Sequence, residues 1–420
     1  MSFSIRLPIK PVKQLADYFR GRELALSLLL IIVMIMGCIF WLPSGTVNLR
    51  EQEAIFPLVG IVLLLAGFIF FEASKVVGLA ITFIVIHVLC VFTPDSYVFL
   101  LTTSLFGFLY YAIVTHYEKI NKHRVLLYNL VCIFALFNVL WLILQANHIF
   151  LFFYPKFSSQ LETGFFSNRN EVSVFLAASL PLFFKGKRHL GIPVVILGLY
   201  LSKTTTGIIA ASIVLSCYAL YLMNKEGIKW RYVLPVVSVL IIFIVFMFYT
   251  KQSSVGIRVT GFIKTLELIQ EKPLAGWGLR QTQYILPLYL NADRMHPGYL
   301  NQAFNQIYYQ DDFKRTYVEK HTANPQFGNL IHNYVHNDYL QAWLEMGAIS
   351  FFLFVVIFAH FRAFMKTKSR DWLAFAVLAV LLITANSFFT FQIGRFLFMS
   401  GLFAGMIQGA YKYENRNKGQ

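Results

Sequence analysis

Charged residues are scarce in this chain: Asp, Glu, Lys and Arg together make up 13% of its 420 residues. Soluble domains carry about 25% charged residues, so the composition does not suit a soluble protein. Hydrophobic residues make up 57%, and apolar runs of about twenty residues, each long enough to cross a bilayer, recur along most of the sequence. These runs are continuous rather than alternating, which excludes a transmembrane barrel. The sequence therefore predicts an all-α polytopic membrane protein.

Cysteine is also scarce. All four cysteines lie inside apolar runs, which excludes zinc-ligand spacing and argues against a disulfide framework; they are Cys38, Cys90, Cys132 and Cys217. We interpret them as small buried hydrophobic residues, because free cysteine is among the most buried residue types.

The histidines give little support for a metal site. His332 and His336 have the i,i+4 spacing that suits zinc on a helix, but Asn333 occupies the glutamate position of a HExxH motif. No third ligand follows at a recognisable spacing. We therefore predict no metal and no other cofactor.

Ionisable residues are almost absent from the middle of the apolar runs, and His87 is the main exception. Pumps and secondary transporters need intramembrane charges or broken helices to bind their substrates. The scarcity of such charges counts against transport. A polysaccharide flippase with a water-filled cavity and a non-catalytic scaffold for envelope assembly are the alternatives from other classes.

The apolar runs predict twelve membrane spans with both termini in the cytoplasm. In this orientation the compact basic clusters, at 6–22, 119–124, 185–188, 225–231, 362–370 and 412–418, all lie on the cytoplasmic side. The net charge of +16 thus reflects membrane topology, and no nucleic-acid partner is predicted. The spans lie near 23–43, 55–72, 76–93, 96–116, 124–148, 171–184, 190–202, 205–223, 232–250, 342–361, 372–388 and 394–411.

This arrangement divides the chain into three parts. Residues 1–250 hold the first nine spans, 251–341 form one long outer loop, and 342–420 hold the last three spans and the cytoplasmic C-terminus. Loops of this length without a function are uncommon. Within the loop, the apolar spacing of 258–273 predicts a helix that lies on the membrane or on the bundle, with one face made of Val259, Phe262, Ile263, Leu266 and Ile269.

The polar groups suited to chemistry gather on the outer side. Asp338 and Gln341 fit a capping box for the tenth span, which places His336 just ahead of a helix N-terminus. Free N–H groups and the helix dipole favour anions there and keep an imidazole neutral. With arginines nearby for bidentate phosphate binding, this pattern indicates transfer from a phosphate-activated donor. The other outer candidates are Asn168, Arg169, Asn170, Lys203 with 204–206, Arg258 and Arg280.

Three stretches of the chain resemble those of a known family. GFFSNRNEVSVFLAASLPLF (164–183) is similar to a Gly-x-x-x-Asn-x-Asn segment that leads into a membrane helix. GIRVTGFIKTLELIQEKPLAGWGLRQTQY (256–284) resembles an Arg-(helix)-Pro-Leu-x-Gly-x-Gly signature. HNDYLQAWLEMGAISFFLF (336–354) matches a His-Asn-x-Tyr-Leu element that is followed by Glu-x-Gly. In this order and over roughly 160–410, they resemble the bacterial O-antigen ligase/polymerase superfamily.

The resemblance implies a GT-C-like, inverting, metal-independent glycosyltransferase of the bacterial inner membrane, with a periplasmic active site formed with the long loop. Its donor would be an undecaprenyl-pyrophosphate-linked glycan. The acceptor would be lipid A–core in a ligase, or another lipid-linked glycan in a polymerase. By the same resemblance His336 is the essential histidine and Arg258 binds the pyrophosphate. Asn337 and Asp338, next to His336, are supporting candidates. Arg280, Lys203 and Arg169 are electrostatic candidates for donor binding.

The sequence departs from the family pattern at one place. Where the family commonly has Ser-Arg-Gly, this chain reads Lys203-Thr-Thr-Thr-Gly207. Lysine supplies a point charge without the bidentate geometry of arginine. Arg169 or Arg395, on the same side, would compensate. The departure leaves a ligase and a polymerase both open, with the ligase as the first choice.

Overall fold

The computed structural model describes residues 107–149 apart from 108 and 112, 163–166, 169–226, 252–278, 337–386 apart from 369, and 394–418, together with the single positions 238, 282, 286 and 335. The predicted spans up to 93 and the span at 232–250, apart from position 238, lie outside these ranges. Within them every regular element is helical, which agrees with the predicted all-α class.

The α-helices are α1 (Tyr117–Lys122), α2 (Arg124–Ala146), α3 (Arg169–Ser179), α4 (Ile192–Ser202), α5 (Thr205–Glu226), α6 (Gln252–Glu271), α7 (Asp338–Met346), α8 (Phe352–Lys366), α9 (Trp372–Thr384) and α10 (Gly394–Lys418). Short 3₁₀ segments at Leu180–Phe184, Gly186–Gly191 and Gly347–Phe351 join neighbouring helices.

Among the described residues, two helical stretches are long and apolar enough to cross a membrane: Arg124–Ala146, and α7 with α8 as the stretch Asp338–Lys366. Thr205–Tyr218 and Trp372–Thr384 are shorter apolar helices. These helices are consistent with an α-helical membrane protein. The count of twelve spans and the positions of the termini stay predictions.

Most of the described helices form one bundle, in which α3 is buried on nearly every side. An ionic contact fixes the relative direction of α2 and α9. Asp371, the N-cap of α9, accepts hydrogen bonds from Tyr128 Oη (2.6 Å) and from Arg124 Nη1 (3.2 Å), both in the first turns of α2. The two helices therefore begin at one end of the bundle and finish at the other.

A second, smaller core lies between α6 and α7. It contains Leu268 and Ile269 of α6 and Leu344 of α7, with further apolar contacts from Trp277, Leu286 and Val335. We call α6, the turn 272–278 and α7 the loop module. It contains parts of the two motifs at 256–284 and 336–354.

The helix predicted at 258–273 is present, and its predicted apolar face is only partly buried against the other described residues. Ile263 and Leu266 are 52% and 42% exposed, whereas Thr265 is fully buried. Thr265 can be buried because its hydroxyl donates to the Gly261 carbonyl of the same helix, at 2.7 Å, so no polar group is left unsatisfied. The α6 residues in the second core are instead Leu268, Ile269 and, partly buried, Phe262.

Candidate active site

Several polar segments meet at one end of the bundle, which we call the site end. It is the end where α2 and α9 finish. Gln145 in the last turn of α2 binds the backbone of Gly164, just ahead of α3, and the Asp338 amide at the start of α7 donates to the Ala385 carbonyl at the end of α9, at 2.8 Å. The α5 residue Gly207 approaches Ser173 of α3 so closely that a side chain would not fit. The first turns of α3, α5 and α7 therefore all lie at this end.

Two of the predicted basic residues lie at the site end. Arg169 is the first residue of α3. Lys203 is the exposed C-cap of α4 and has a left-handed backbone, with φ of 54°. Its amide donates to the Tyr200 carbonyl at 3.1 Å, which ends α4 and turns the chain into α5. Both cations are thus on the same side of the bundle as the start of α7.

The start of α7 differs from the predicted capping box. The N-cap is Asn337, whose side-chain oxygen accepts from the amides of Tyr339 and Leu340, both at 3.0 Å. Asp338 is therefore the first residue of the helix, and it is buried. Gln341 does not complete a capping box; its side-chain oxygen accepts from the Val335 amide, at 3.4 Å.

This capping removes one of the predicted features of the site. The amides of Tyr339 and Leu340 bind Asn337, and the amide of Asp338 binds Ala385, so these first N–H groups of α7 are not available to an anion. The Asp338 carboxyl group also lies in the first turn, where it occupies the end that the helix dipole favours for negative charge. The prediction that free N–H groups at the N-terminus of α7 favour an anion is therefore wrong.

The structure describes little of the remaining predicted site residues. His336, Arg280, Asn168 and Arg395 lie outside the residues whose side chains the structure describes, and Arg258 lies in α6, where the backbone alone is described at that position. The structure does describe chain neighbours of His336 and of Arg280. Val335 and Asn337 flank His336, and Gly278 and Thr282 stand on either side of Arg280.

Backbone contacts join the turn 272–278 to the end of α7. Trp277 N donates to Leu344 O (2.8 Å), Gly278 N to Glu345 O (2.9 Å), and Ala348 N to Leu274 O (3.0 Å). The turn is also held from both helices, because the indole N–H of Trp277 donates to Leu268 O and that of Trp343 donates to Pro273 O.

Two glycines allow this contact. Gly276 and Gly347 both have positive φ, at 69° and 61°. A Cβ on Gly276 would overlap the Glu345 backbone, and one on Gly347 would overlap the Leu274 carbonyl. The Pro-Leu-x-Gly-x-Gly and Glu-x-Gly patterns, distant in sequence, therefore reflect one physical contact.

Glu345 lies in the motif at 336–354 but was not predicted to have a role in the site. It is 6% exposed, and its Oε1 accepts from Thr282 Oγ1 (2.7 Å) and from Gln341 Nε2 (2.8 Å). A buried carboxylate needs such partners because an unpaired buried charge is very costly. Its position near the start of a run otherwise free of charge was the signal that could have identified it.

Two residues of opposite charge meet where α6 ends and the turn begins: Glu271, the last residue of α6, and Lys272, the first residue of the turn. The Nζ atom of Lys272 lies 3.9 Å from the centroid of the Trp277 ring, a cation–π contact. Burial lowers the pKa of Lys272, and neighbouring Glu271 opposes this shift. Burial likewise raises the pKa of Glu271, opposed by Lys272. Lys272 thus helps to hold Trp277 in the second core.

We expect Asn337→Ala to destabilise α7 by about 1 kcal/mol, the usual cost of losing an N-cap. Asn337→Asp keeps an acceptor oxygen and is the matched control, expected to retain most of the stability. Thermal unfolding of the purified protein in detergent checks both variants. Equal unfolding midpoints for the alanine and aspartate variants would contradict the capping assignment.

Comparison with known proteins supports the resemblance seen in the sequence. Residues 190–355 match the family model described as O-Antigen ligase, a range that contains α4, α5, α6, α7 and the first turn of α8. A search of curated proteins returns no match. The part of the chain that the structure describes is helical and contains two apolar stretches of membrane-spanning length. The match confirms the predicted resemblance to the bacterial O-antigen ligase/polymerase superfamily, whose members are inner-membrane proteins, and supports a glycosyltransferase-type enzyme.

Proposed function

We propose that this protein transfers a glycan from undecaprenyl pyrophosphate to an acceptor hydroxyl on the periplasmic side of the inner membrane. The observation that carries the proposal is the family match over 190–355. This range includes the loop module and Lys203, which lies between α4 and α5. The geometry supports it, because the motifs at 256–284 and 336–354 contact each other and the first turns of α3, α5 and α7 share one end of the bundle.

The proposed reaction is an inverting substitution at the anomeric carbon. The acceptor oxygen forms the new glycosidic bond while the bond between that carbon and the pyrophosphate oxygen breaks. His336 orients the acceptor hydroxyl and takes its proton, a role that suits an imidazole with a pKa near neutrality. The electron pair of the broken bond leaves on undecaprenyl pyrophosphate. In this proposal Arg258 binds the pyrophosphate, and Arg280, Lys203 and Arg169 add positive charge around it.

We propose lipid A–core as the acceptor, which makes the protein an O-antigen ligase. The alternative within the same family is a polymerase, whose acceptor is another lipid-linked glycan. The segment from Lys203 to Gly207 keeps the polymerase open, because it lacks the arginine common in the family and offers an exposed lysine at a left-handed C-cap instead of bidentate geometry. Lipid profiles of a deletion strain separate the two. Long lipid-linked chains without surface attachment indicate a ligase, and single lipid-linked repeats indicate a polymerase.

We expect His336→Ala and Arg258→Ala each to lower glycan transfer at least about 100-fold, since losing a general base or a clamp on the leaving group typically has effects of that order. Transfer is measured with purified protein, lipid-linked glycan donor and acceptor, and as surface polysaccharide in cells at matched protein levels. His332→Ala is the control for the histidine, and Lys264→Ala, which removes a helix-surface ion pair with Glu267, is the control on α6. Normal transfer by both site variants would rule out the roles proposed for His336 and Arg258, and no transfer by the purified unsubstituted protein would rule out the enzymatic proposal. Glycan translocation without transfer would instead favour a flippase.

A further inference from the structure

We propose that Glu345 is a positioning residue, which holds the chain segments on either side of Arg280 and of His336 in a fixed relation to each other. The inference rests on the proposed function, because it concerns residues assigned there to donor binding and to proton transfer. Glu345 itself touches neither substrate nor reacting atoms in this proposal. Its role follows from five hydrogen bonds among described residues in and next to the loop module.

Glu345 binds the chain on both sides of Arg280. Its backbone carbonyl accepts from the Gly278 amide at 2.9 Å, and its Oε1 accepts from the Thr282 hydroxyl at 2.7 Å. Gly278 lies two residues before Arg280 and Thr282 two residues after it. One residue of α7 therefore fixes both ends of this five-residue segment.

Through Gln341, Glu345 is also linked to the chain on both sides of His336. Gln341 Nε2 donates to the same Glu345 Oε1 at 2.8 Å, and Gln341 Oε1 accepts from the Val335 amide at 3.4 Å. The Gln341 amide donates to the Asn337 carbonyl at 2.9 Å. Val335 and Asn337, the immediate chain neighbours of His336, are therefore held from the same helix as Gly278 and Thr282.

Burial makes this network sensitive to substitution. Thr282 is fully buried, Gln341 is 2% exposed and Glu345 is 6% exposed. Replacing Glu345 removes the carboxylate oxygen that accepts from both the Thr282 hydroxyl and the Gln341 side-chain amide. A buried hydroxyl or amide N–H group that loses its acceptor destabilises the folded state. The segments are then expected to shift. A displacement of about 1 Å at a reacting group can cost about 100-fold in rate.

The sharpest test uses threonine-to-valine changes that keep side-chain volume. Thr282→Val removes the donor to Glu345 and is expected to raise the KM for the lipid-linked glycan donor about tenfold with little change in kcat, because it releases the Arg280 side of the network. Thr282→Ser keeps the hydroxyl and is expected to restore most of the affinity. Thr265→Val is the matched control, since Thr265 is equally buried in the module but its hydroxyl binds its own helix.

Gln341→Leu tests the other side of the network. It is expected to lower kcat about tenfold with a smaller effect on the donor KM, because it releases the His336 side. Glu345→Leu is expected to change both parameters and to lower kcat/KM about 100-fold. Glu345→Gln keeps one acceptor oxygen and is expected to recover part of the loss. A merely structural role would reduce the folded amount of each variant and leave KM and kcat per folded molecule unchanged.

Hydrogen exchange gives a readout that does not depend on activity. Peptides covering 278–282 and 335–340 are expected to exchange faster in Glu345→Leu than in the unsubstituted protein, while peptides of α2 exchange at the same rate. Unchanged exchange in both peptides would overturn the inference even if transfer were never detected. An active unsubstituted protein with an inactive His336→Ala variant, and normal KM and kcat in Thr282→Val and Glu345→Leu, would overturn it while leaving the proposed function intact.

Discussion

Replacing Gly347 by alanine is expected to detach the turn 272–278 from α7 and to abolish glycan transfer. Gly347 has φ of 61° and ψ of −143°, close to a region of backbone space that is essentially restricted to glycine. The new Cβ would also overlap the Leu274 carbonyl group and the Gly276 amide, and these are backbone atoms that cannot rotate away. Backbone strain and overpacking together correspond to about 2–6 kcal/mol.

This cost falls on the contact that holds the loop module together. The hydrogen bonds from Trp277, Gly278 and Ala348 all cross the same short interface. Once the turn moves, Gly278 no longer fixes one side of the Arg280 segment. We therefore expect at least about 100-fold less transfer, the usual penalty for misplacing a binding group by about 1 Å.

Gly261→Ala is the control for Gly347→Ala. Gly261 lies inside α6, and a Cβ there meets nothing within 4 Å. Alanine favours the helix over glycine by about 0.5–1 kcal/mol, so this variant should unfold at an equal or higher temperature. Thermal unfolding in detergent and transfer per folded molecule are measured for both. If Gly347→Ala unfolds and transfers like Gly261→Ala, the turn contact does not hold the module.

The helices were predictable from the sequence where apolar runs are bounded by polar turns. The spans expected at 190–202 and 205–223 correspond to α4 at Ile192–Ser202 and α5 at Thr205–Glu226. Lys203 separates them because its left-handed backbone ends α4. The span expected at 171–184 is instead α3 followed by the 3₁₀ segment Leu180–Phe184, where Pro181 stands in the first turn. Hydropathy predicts how long an apolar run is, but not whether its residues form an α-helix or a 3₁₀ helix.

The candidate site was less predictable, because its details depend on contacts between distant segments. Asn337 and Asp338 are both suitable N-caps by composition, and the choice between them follows from the bond between the Asp338 amide and Ala385, almost fifty residues later. Similarly, the buried face of α6 is decided by its partner α7 and by the Thr265 hydroxyl bond, not by the apolar spacing alone. Neither contact can be inferred from the spacing of residues in the sequence.

Two buried amides on α2 show the same kind of dependence at the start of α3. Asn138 and Gln145 are seven residues apart, two helical turns, so they lie on one face. Asn138 Oδ1 accepts from the Phe165 amide at 3.1 Å, and Gln145 Oε1 accepts from the amides of Thr163 and Gly164 at 3.1 and 2.8 Å. Gly164 has φ of 63° and would place a Cβ 2.9 Å from Asn138 Oδ1. The two amides thus hold the segment that leads into Arg169.

Gln145→Leu is expected to destabilise the protein by about 2–6 kcal/mol, because two buried backbone N–H groups lose their acceptor at about 1–3 kcal/mol each. Gln145 is fully buried, so water does not replace the lost bonds. The matched control is Asn147→Ala, two residues away and exposed, whose side chain binds only its own helix and whose loss should cost no more than about 0.5 kcal/mol. Thermal unfolding in detergent compares the two variants.

A double-substitution cycle with Asn138→Leu makes this last prediction specific. If Gln145 and Asn138 hold one segment, releasing it through either residue removes part of what the other contributes, and the double variant loses less stability than the two single variants added together. Strict additivity would mean that the two amides act on independent groups. Transfer should fall along with stability in Gln145→Leu, because the released segment places Arg169 at the site end. A Gln145→Leu protein that unfolds at the same temperature as Asn147→Ala would show that the 163–165 segment is held by other contacts.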